Sequence, residues 1–262
     1  MIRGLYTAAS GMVAQQQNID VISNNIANVN TTGFKQDRAE FQDLMYQSLN
    51  YTAGATSATT NNPTGIDVGL GVKTAGIQKN FIQGSLKETG NSFDVAIAGE
   101  GFFKITTPTG ETAYSRDGSF KKDNEGALVT SQGYKLDPEI VIPEGLIKIS
   151  IANDGIVTGE DAATGDITQL GQITIANFIN PAGLSPKGNN LYSATEVSGA
   201  PVEGNPGLNG MGYLQQGMLE GSNVQLVTEM VALITAQRAY EANSKSITTT
   251  DTMLQTVNQL KR

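Results

Sequence analysis

Residues 226–257 read LVTEMVALITAQRAYEANSKSITTTDTMLQTV, and the spacing of the apolar side chains decides what this stretch becomes. Leu226, Leu233, Tyr240, Ile247 and Leu254 recur every seven residues. Ala236 and Val257 occupy the row three positions behind, which Glu229, Asn243 and Thr250 interrupt with polar groups. Such an a/d pattern predicts an α-helix with one narrow apolar seam. Carried over residues 223–259, the helix would run roughly 55 Å. Ser222 with Gln225 three residues on has capping-box spacing and predicts its start.

The other end of the chain repeats the pattern. Leu5, Met12, Ile19 and Ile26 are seven apart, and Ala8, Gln15, Ile22 and Val29 follow three behind. A helix over residues 5–29 would run roughly 38 Å. Asn18, Asn24, Asn25 and Asn28 are indifferent helix formers. Both terminal helices are therefore expected to be poorly ordered in the free chain and to become helical against partners. An intramolecular helical hairpin is the other reading of the same heptads. Amide-rich faces beside long, thin apolar stripes favour burial against identical neighbours, where hydrogen bonds replace water.

The middle is written differently. Phe93–Ile97 and Phe102–Thr106 are short apolar runs separated by Gly99 and Gly101, and Val141-Ile142, Ile147–Ile151 and Ile173–Ile175 add more. Asp117-Gly118, Asn124-Glu125-Gly126 and Asp154-Gly155 are turn signals. The predicted class is α+β: terminal helices forming a coiled-coil-like stalk around a central, mostly antiparallel β domain. The expected divisions are a first helix over 1–33, an extended linker region over 34–75, the β domain over 76–210, a return segment over 211–222 and the last helix over 223–262. Within the linker, residues 50–65 are rich in Thr, Ala, Asn and Gly.

Composition excludes several chemistries. The 262 residues include no Cys, His or Trp. That removes disulfides, thiolate nucleophiles, Cys-ligated metals and the commonest general base. The net charge is -8, which disfavours nucleic acid and anionic lipid. Gln15, Gln16, Gln17 and Asn18 break the N-terminal apolar run, so no secretory leader is expected, and no stretch is apolar enough to insert in a membrane.

The weaker motifs have plain readings. Gly99-Glu100-Gly101 lacks the third glycine and the helix of a phosphate loop and reads as a turn. Asn153-Asp154-Gly155 lacks the distal Glu of a calcium loop. Asp94, Asp117 and Glu220 are carboxylates that a glycosidase would need in pairs, and nothing in the sequence pairs them.

Longer motifs carry a resemblance. Residues 23–35, SNNIANVNTTGFK, and 236–245, AQRAYEANSK, are similar to the terminal signatures of the bacterial flagellar rod and hook family. Asp94-Val95-Ala96-Ile97 with Gly99, Gly101, Phe102 and Phe103, continued by Tyr114–Phe120, resembles the shared opening of its β domain. Met1-Ile2-Arg3, Gly11 and Gln15–Gln17 resemble the distal-rod member in particular. So do Tyr46-Gln47, Pro63-Thr64-Gly65-Ile66 and Gly69–Val72.

The resemblance implies a structural subunit with no enzymatic activity and no cofactor. Copies would assemble into a helical hollow tube that spans the periplasm and carries torque from motor to hook. Implied partners are the chain itself, proximal rod proteins, the hook protein, P- and L-ring proteins, the rod cap and the flagellar type III export apparatus, which needs no cleaved leader. The expected self-assembly residues are Leu5, Met12, Ile19, Ile22, Ile26, Leu226, Leu233, Tyr240, Asn243, Ile247 and Leu254. Asn24, Asn25 and Asn28 are expected to bridge neighbouring subunits, with Gly33 and Phe34 at the exit of the first helix. Tyr46, Pro63 and Gly65 mark a segment expected to stiffen the tube. A proximal-rod or hook-type subunit, a wall hydrolase and a binding module with a helical hairpin are the alternatives.

Overall fold

The computed structural model describes residues 2–50, 55–57, 60–61, 66–161 and 165–260. It is α+β, with one long helix near each end and antiparallel strands between. The chain divides into two compact units. A helical unit holds Met1–Ile26, Asp37–Gln78 and Gln225–Arg262, and a β unit holds Ala27–Gln36 and Lys79–Val224. No helix among the described residues is long and apolar enough to cross a membrane.

Helix α1 spans Ile2–Ala27 and helix α2 spans Leu226–Leu260. The first ends earlier than its heptads predict, leaving Val29 outside. Asn28 stops it: its Oδ1 accepts the Thr31 hydroxyl at 3.0 Å and its carbonyl accepts the Thr31 N–H at 3.1 Å, a local alternative to helical bonding. The second helix starts later than the expected capping box. Gln225, not Ser222, offers its carbonyl to the first helical N–H, that of Glu229, at 3.0 Å. The Ser222 hydroxyl instead accepts the Val224 N–H at 3.2 Å in a preceding turn.

Within the helical unit, the region expected as an extended linker is a two-stranded ribbon. Asp37–Asp43 pairs with Val72–Lys79, and Tyr46–Asn50 pairs antiparallel with Ile66–Gly69. Ala55–Ser57 pairs with Thr60–Asn61 farther along the same excursion.

The β unit also departs from the expected division. It takes in residues 27–36 and runs on to Val224, because the segment expected to be a mere return forms strands Tyr213–Gln216 and Met218–Glu220. Its largest sheet is antiparallel and centred on Phe102–Thr106, which matches the predicted apolar run. One edge of that strand takes Thr112–Ser115; the other is shared by Ile175–Asn177 and Lys135–Leu136. Leu191–Ser193 and then Ser185–Gly188 extend it to a fully exposed edge, where Pro186 and Lys187 discourage further pairing. Val141-Ile142 makes only a single bridge, Ala127↔Val141, rather than a strand.

Alternation divides the buried side chains of this sheet among three apolar clusters. Phe103 belongs to the largest, where it meets Phe120 edge-on at 5.1 Å, and Ile105 packs in a small one with Ala113 and Leu191. Phe102, Tyr114, Phe178 and Tyr192 make an aromatic cluster on which Phe81 packs. A three-stranded sheet, Leu146–Ile151, Ile156–Asp161 and Ile167–Gln172, carries one register shift at each pairing. Gly99-Glu100-Gly101 is the bend joining strands Val95–Ala98 and Phe102–Thr106, and Asp154-Gly155 turns one strand of the three-stranded sheet into the next.

Candidate assembly site

The terminal helices place the expected residues unevenly. In α1 the most buried positions are Ala8, Ala14, Val21, Ile22 and Asn25. Leu5, Met12, Ile19 and Ile26, expected to form the seam, are only half-buried. The buried face is rotated from the predicted one because the ribbon covers α1 as well. Ser10 Oγ accepts the Val72 N–H at 3.4 Å, and Gln17 receives the Thr74 hydroxyl. Heptads report a helix–helix seam and carry no information about a strand laid alongside.

In α2 the predicted register is kept, but its polar interruptions are used. Glu229 is 4 % exposed and Ala236 3 %, whereas Leu233, Asn243, Ile247 and Leu254 are half-buried. Leu226 and Tyr240 are exposed rather than in the seam. A side chain at Gly11 would come within 2.8 Å of the Asn243 amide, so Gly11 permits close approach of the two helices there.

Asn25 is the hub of the helical unit. Its Nδ2 donates to the Asp37 carbonyl at 2.8 Å and to Glu229 Oε2 at 3.4 Å, and its Oδ1 accepts the Asp37 N–H at 2.9 Å. At 1 % exposure it has no surface to offer a neighbouring subunit, contrary to expectation. Asn24 reaches Asp37 Oδ2 at 3.3 Å and Asn28 caps its own turn, so both are engaged within the chain. An amide can mimic a peptide group, and here it pairs with a strand end of the same molecule.

Gly33 is likewise a tertiary residue rather than a helix exit. It lies six positions past the end of α1 in the β unit, with φ +67, and its N–H donates to the Glu220 carbonyl at 2.8 Å. A Cβ there would stand 2.8 Å from the Asp117 amide nitrogen. Phe34 is half-buried beneath Lys79, whose Nζ is 5.2 Å from the ring centroid.

Sequence reasoning missed the cluster next to it. Lys35, Arg116 and Glu220 are 0 %, 3 % and 1 % exposed. Glu220 Oε1 accepts Lys35 Nζ at 2.7 Å and the Gly84 N–H at 2.9 Å, while Oε2 accepts Arg116 at 3.3 Å. Burial pulls the Lys35 ammonium below its ordinary pKa against the pull of Glu220. Glu220 is thus committed to two cations, and the other carboxylates weighed for glycosidic chemistry are committed too. Asp94 accepts from Thr89 at 2.6 Å and Asn91 at 3.1 Å, and Asp117 accepts the Ser119 N–H at 3.0 Å.

What remains open is apolar. On α1, Tyr6 and Val13 are exposed. On α2, Val227, Val231 and Ile234 are exposed at i, i+4, i+7, with Met230 beside them and Met253, Val257 and Leu260 farther on. Val227, Val231 and Ile234 are off the heptad rows, whereas Val257 belongs to the row three behind Leu254 and is exposed rather than in the seam. On the ribbon, Met45, Tyr46, Leu49 and Ile66 are exposed. Pro63 and Gly65, the other expected markers of that segment, lie outside the described residues.

Known proteins match these same segments. Residues 5–35 match the family described as flagella basal body rod protein, and residues 215–260 the flagellar basal body rod FlgEFG protein C-terminal family. Residues 96–159 match the flagellar hook protein FlgE/F/G D1 domain. The flagellar basal-body rod protein FlgG of Borreliella burgdorferi is 53% identical over 100% of both chains. The chain belongs to the FlgG family of flagellar basal-body rod proteins.

Two proteins of one bacterium, Caulobacter vibrioides, separate the members. Its rod protein FlgG is 48% identical over 99% of this chain and 100% of its own, and its rod protein FlgF is 35% identical over 95% and 94%. The relatives are named as rod proteins of the flagellar basal body, which is the location of this family.

Proposed function

We propose that this chain is a structural subunit of the distal rod of the bacterial flagellum, polymerising with copies of itself into a hollow helical tube that carries torque from motor to hook. One observation carries the reading: both terminal helices leave apolar side chains uncovered at helical spacing. Contiguous exposed apolar surface in a chain of net charge -8 marks a protein contact. A repeated contact that does not close on itself generates a filament. A seven-residue step recurs, Tyr6 to Val13 on α1 and Val227 to Ile234 on α2, and it favours identical copies as the occupant.

The ribbon at 46–50 and 66–69 supports a second contact. A two-stranded ribbon with an apolar surface is marginal alone and gains from a neighbour laid against it. We assign it the stiffening role, with Tyr46 at its root. The proximal rod, the hook, the P- and L-rings, the rod cap and the export apparatus would be met in turn as the rod is built across the periplasm.

The test is a pair of single variants, Val231→Asp and Ile234→Asp, in a strain whose rod depends on this chain. Both sites are exposed in the free chain, so monomer stability should change by no more than about 0.5 kcal/mol. Buried in a polymer, an unpaired carboxylate should stop rod formation and swimming. Normal rods from both variants would place the contact elsewhere.

A further inference from the structure

One short segment holds the β unit together, and it comes late in the chain. Strand Val95–Ala98 is buried along its whole length, and its strand partner is Tyr213–Gln216. Leu86–Glu88 is paired in the same way by Met218–Glu220. Gln216 alone satisfies three backbone groups: its Nε2 donates to the Ser92 and Ile149 carbonyls, each at 2.9 Å, and its Oε1 accepts the Ile151 N–H at 3.1 Å. The Gly217 N–H donates to the Asp94 carbonyl at 2.8 Å, and the Gly212 N–H to that of Glu100 at 2.7 Å.

The far end of the segment closes on the earliest residues of the unit. Glu220 pairs with both Lys35 and Arg116. Asn223 accepts the Gln36 N–H at 2.7 Å and donates to the Asn80 carbonyl at 2.8 Å and the Ile82 carbonyl at 3.1 Å. The Lys35–Glu220 and Gln36–Asn223 contacts span 185 and 187 residues. Contacts of such separation form only after the loop entropy between them has been overcome. Until they form, two cations have no carboxylate in a site that excludes water.

We propose that Gly212–Asn223 is a closing strap, so that the β unit completes its fold only when this segment arrives. Everything upstream of it stays open until residues 212–223 are in place. Early folding would leave Lys35 and Arg116 buried unpaired and Val95–Ala98 without its partner, so the unit avoids a compact state that lacks the strap. The inference stands whatever the folded protein assembles with.

Pulsed hydrogen exchange during refolding of the full chain tests it. Amides of Phe102–Thr106 and Thr112–Ser115, in the large sheet, should gain protection in the same kinetic phase as Gly33, Gly84 and Val95–Ala98. Protection of the large sheet in an earlier phase would overturn the proposal, since that sheet would then stand without the strap. Glu220→Gln should slow the shared phase about tenfold at every one of these strands. Gln216→Ala, which removes no charge, should also slow it and serves if Glu220→Gln does not refold. A large sheet that forms at its normal rate in Gln216→Ala would equally sink the idea.

Discussion

At the residue scale, the β unit depends on groups whose worth is set by burial. Gly33 is one: a side chain would need a left-handed backbone and would press on the Asp117 amide. Gly33→Ala should cost about 1–3 kcal/mol by urea unfolding. Lys35 is another, and its pH behaviour has a definite sign. Its folded pKa is lowered from 10.5 by burial, so the unfolded chain binds more protons between the two values. Stability therefore rises with pH across that window, reaching its full value above 10.5, and is lower where the amine must be charged in both states. Lys35→Met should remove this slope, and the difference between the two proteins' unfolding midpoints from neutral pH to about 10.5 measures it. An unchanged slope would mean that Lys35 is not titrating in the folded site.

At the element scale, α1 is fixed less by its own propensity than by Asn25. Asn25→Ala would remove three hydrogen bonds, those with the Asp37 N–H, the Asp37 carbonyl and the Glu229 carboxylate. Each lost bond should cost about 0.5–1.5 kcal/mol. Amide exchange should quicken in the last turns of α1 and in Asp37–Asp43, while the β unit keeps its protection. The heptads in both helices were enough to locate them, since a seven-residue repeat needs only local sequence. They could not say which face would be most buried in α1, because the ribbon that shifts it is paired from residues about thirty apart. The stop at Asn28 and the late start at Gln225 turned on single side-chain hydrogen bonds that periodicity does not report.

At the scale of the whole molecule, the division into units sets what should resist attack. The β unit holds the three apolar clusters, whereas the buried residues of α2 are Glu229 and Ala236. Limited proteolysis of the free chain should therefore cut within 225–262 and 1–26 first and leave a fragment containing 79–224. In assembled rods the same helices should resist. Terminal helices that resist as well as the β unit in the free chain would identify a preformed hairpin, and ordering on assembly would have to be abandoned.

The class of the fold, the two terminal helices, the central strand Phe102–Thr106 and the family are all legible in the chain's local patterns. Each rests on signals read within a few turns of helix or a few residues of strand. That Asn25 faces inward, that Gly33 serves the β unit, that the linker is a ribbon and that Glu220 answers Lys35 emerges only once distant segments pack. The physical reason is one of range: periodicity fixes the direction of a side chain relative to its own element. The partner that makes burial of Lys35 tolerable lies 185 residues away, and nothing local to either residue records it.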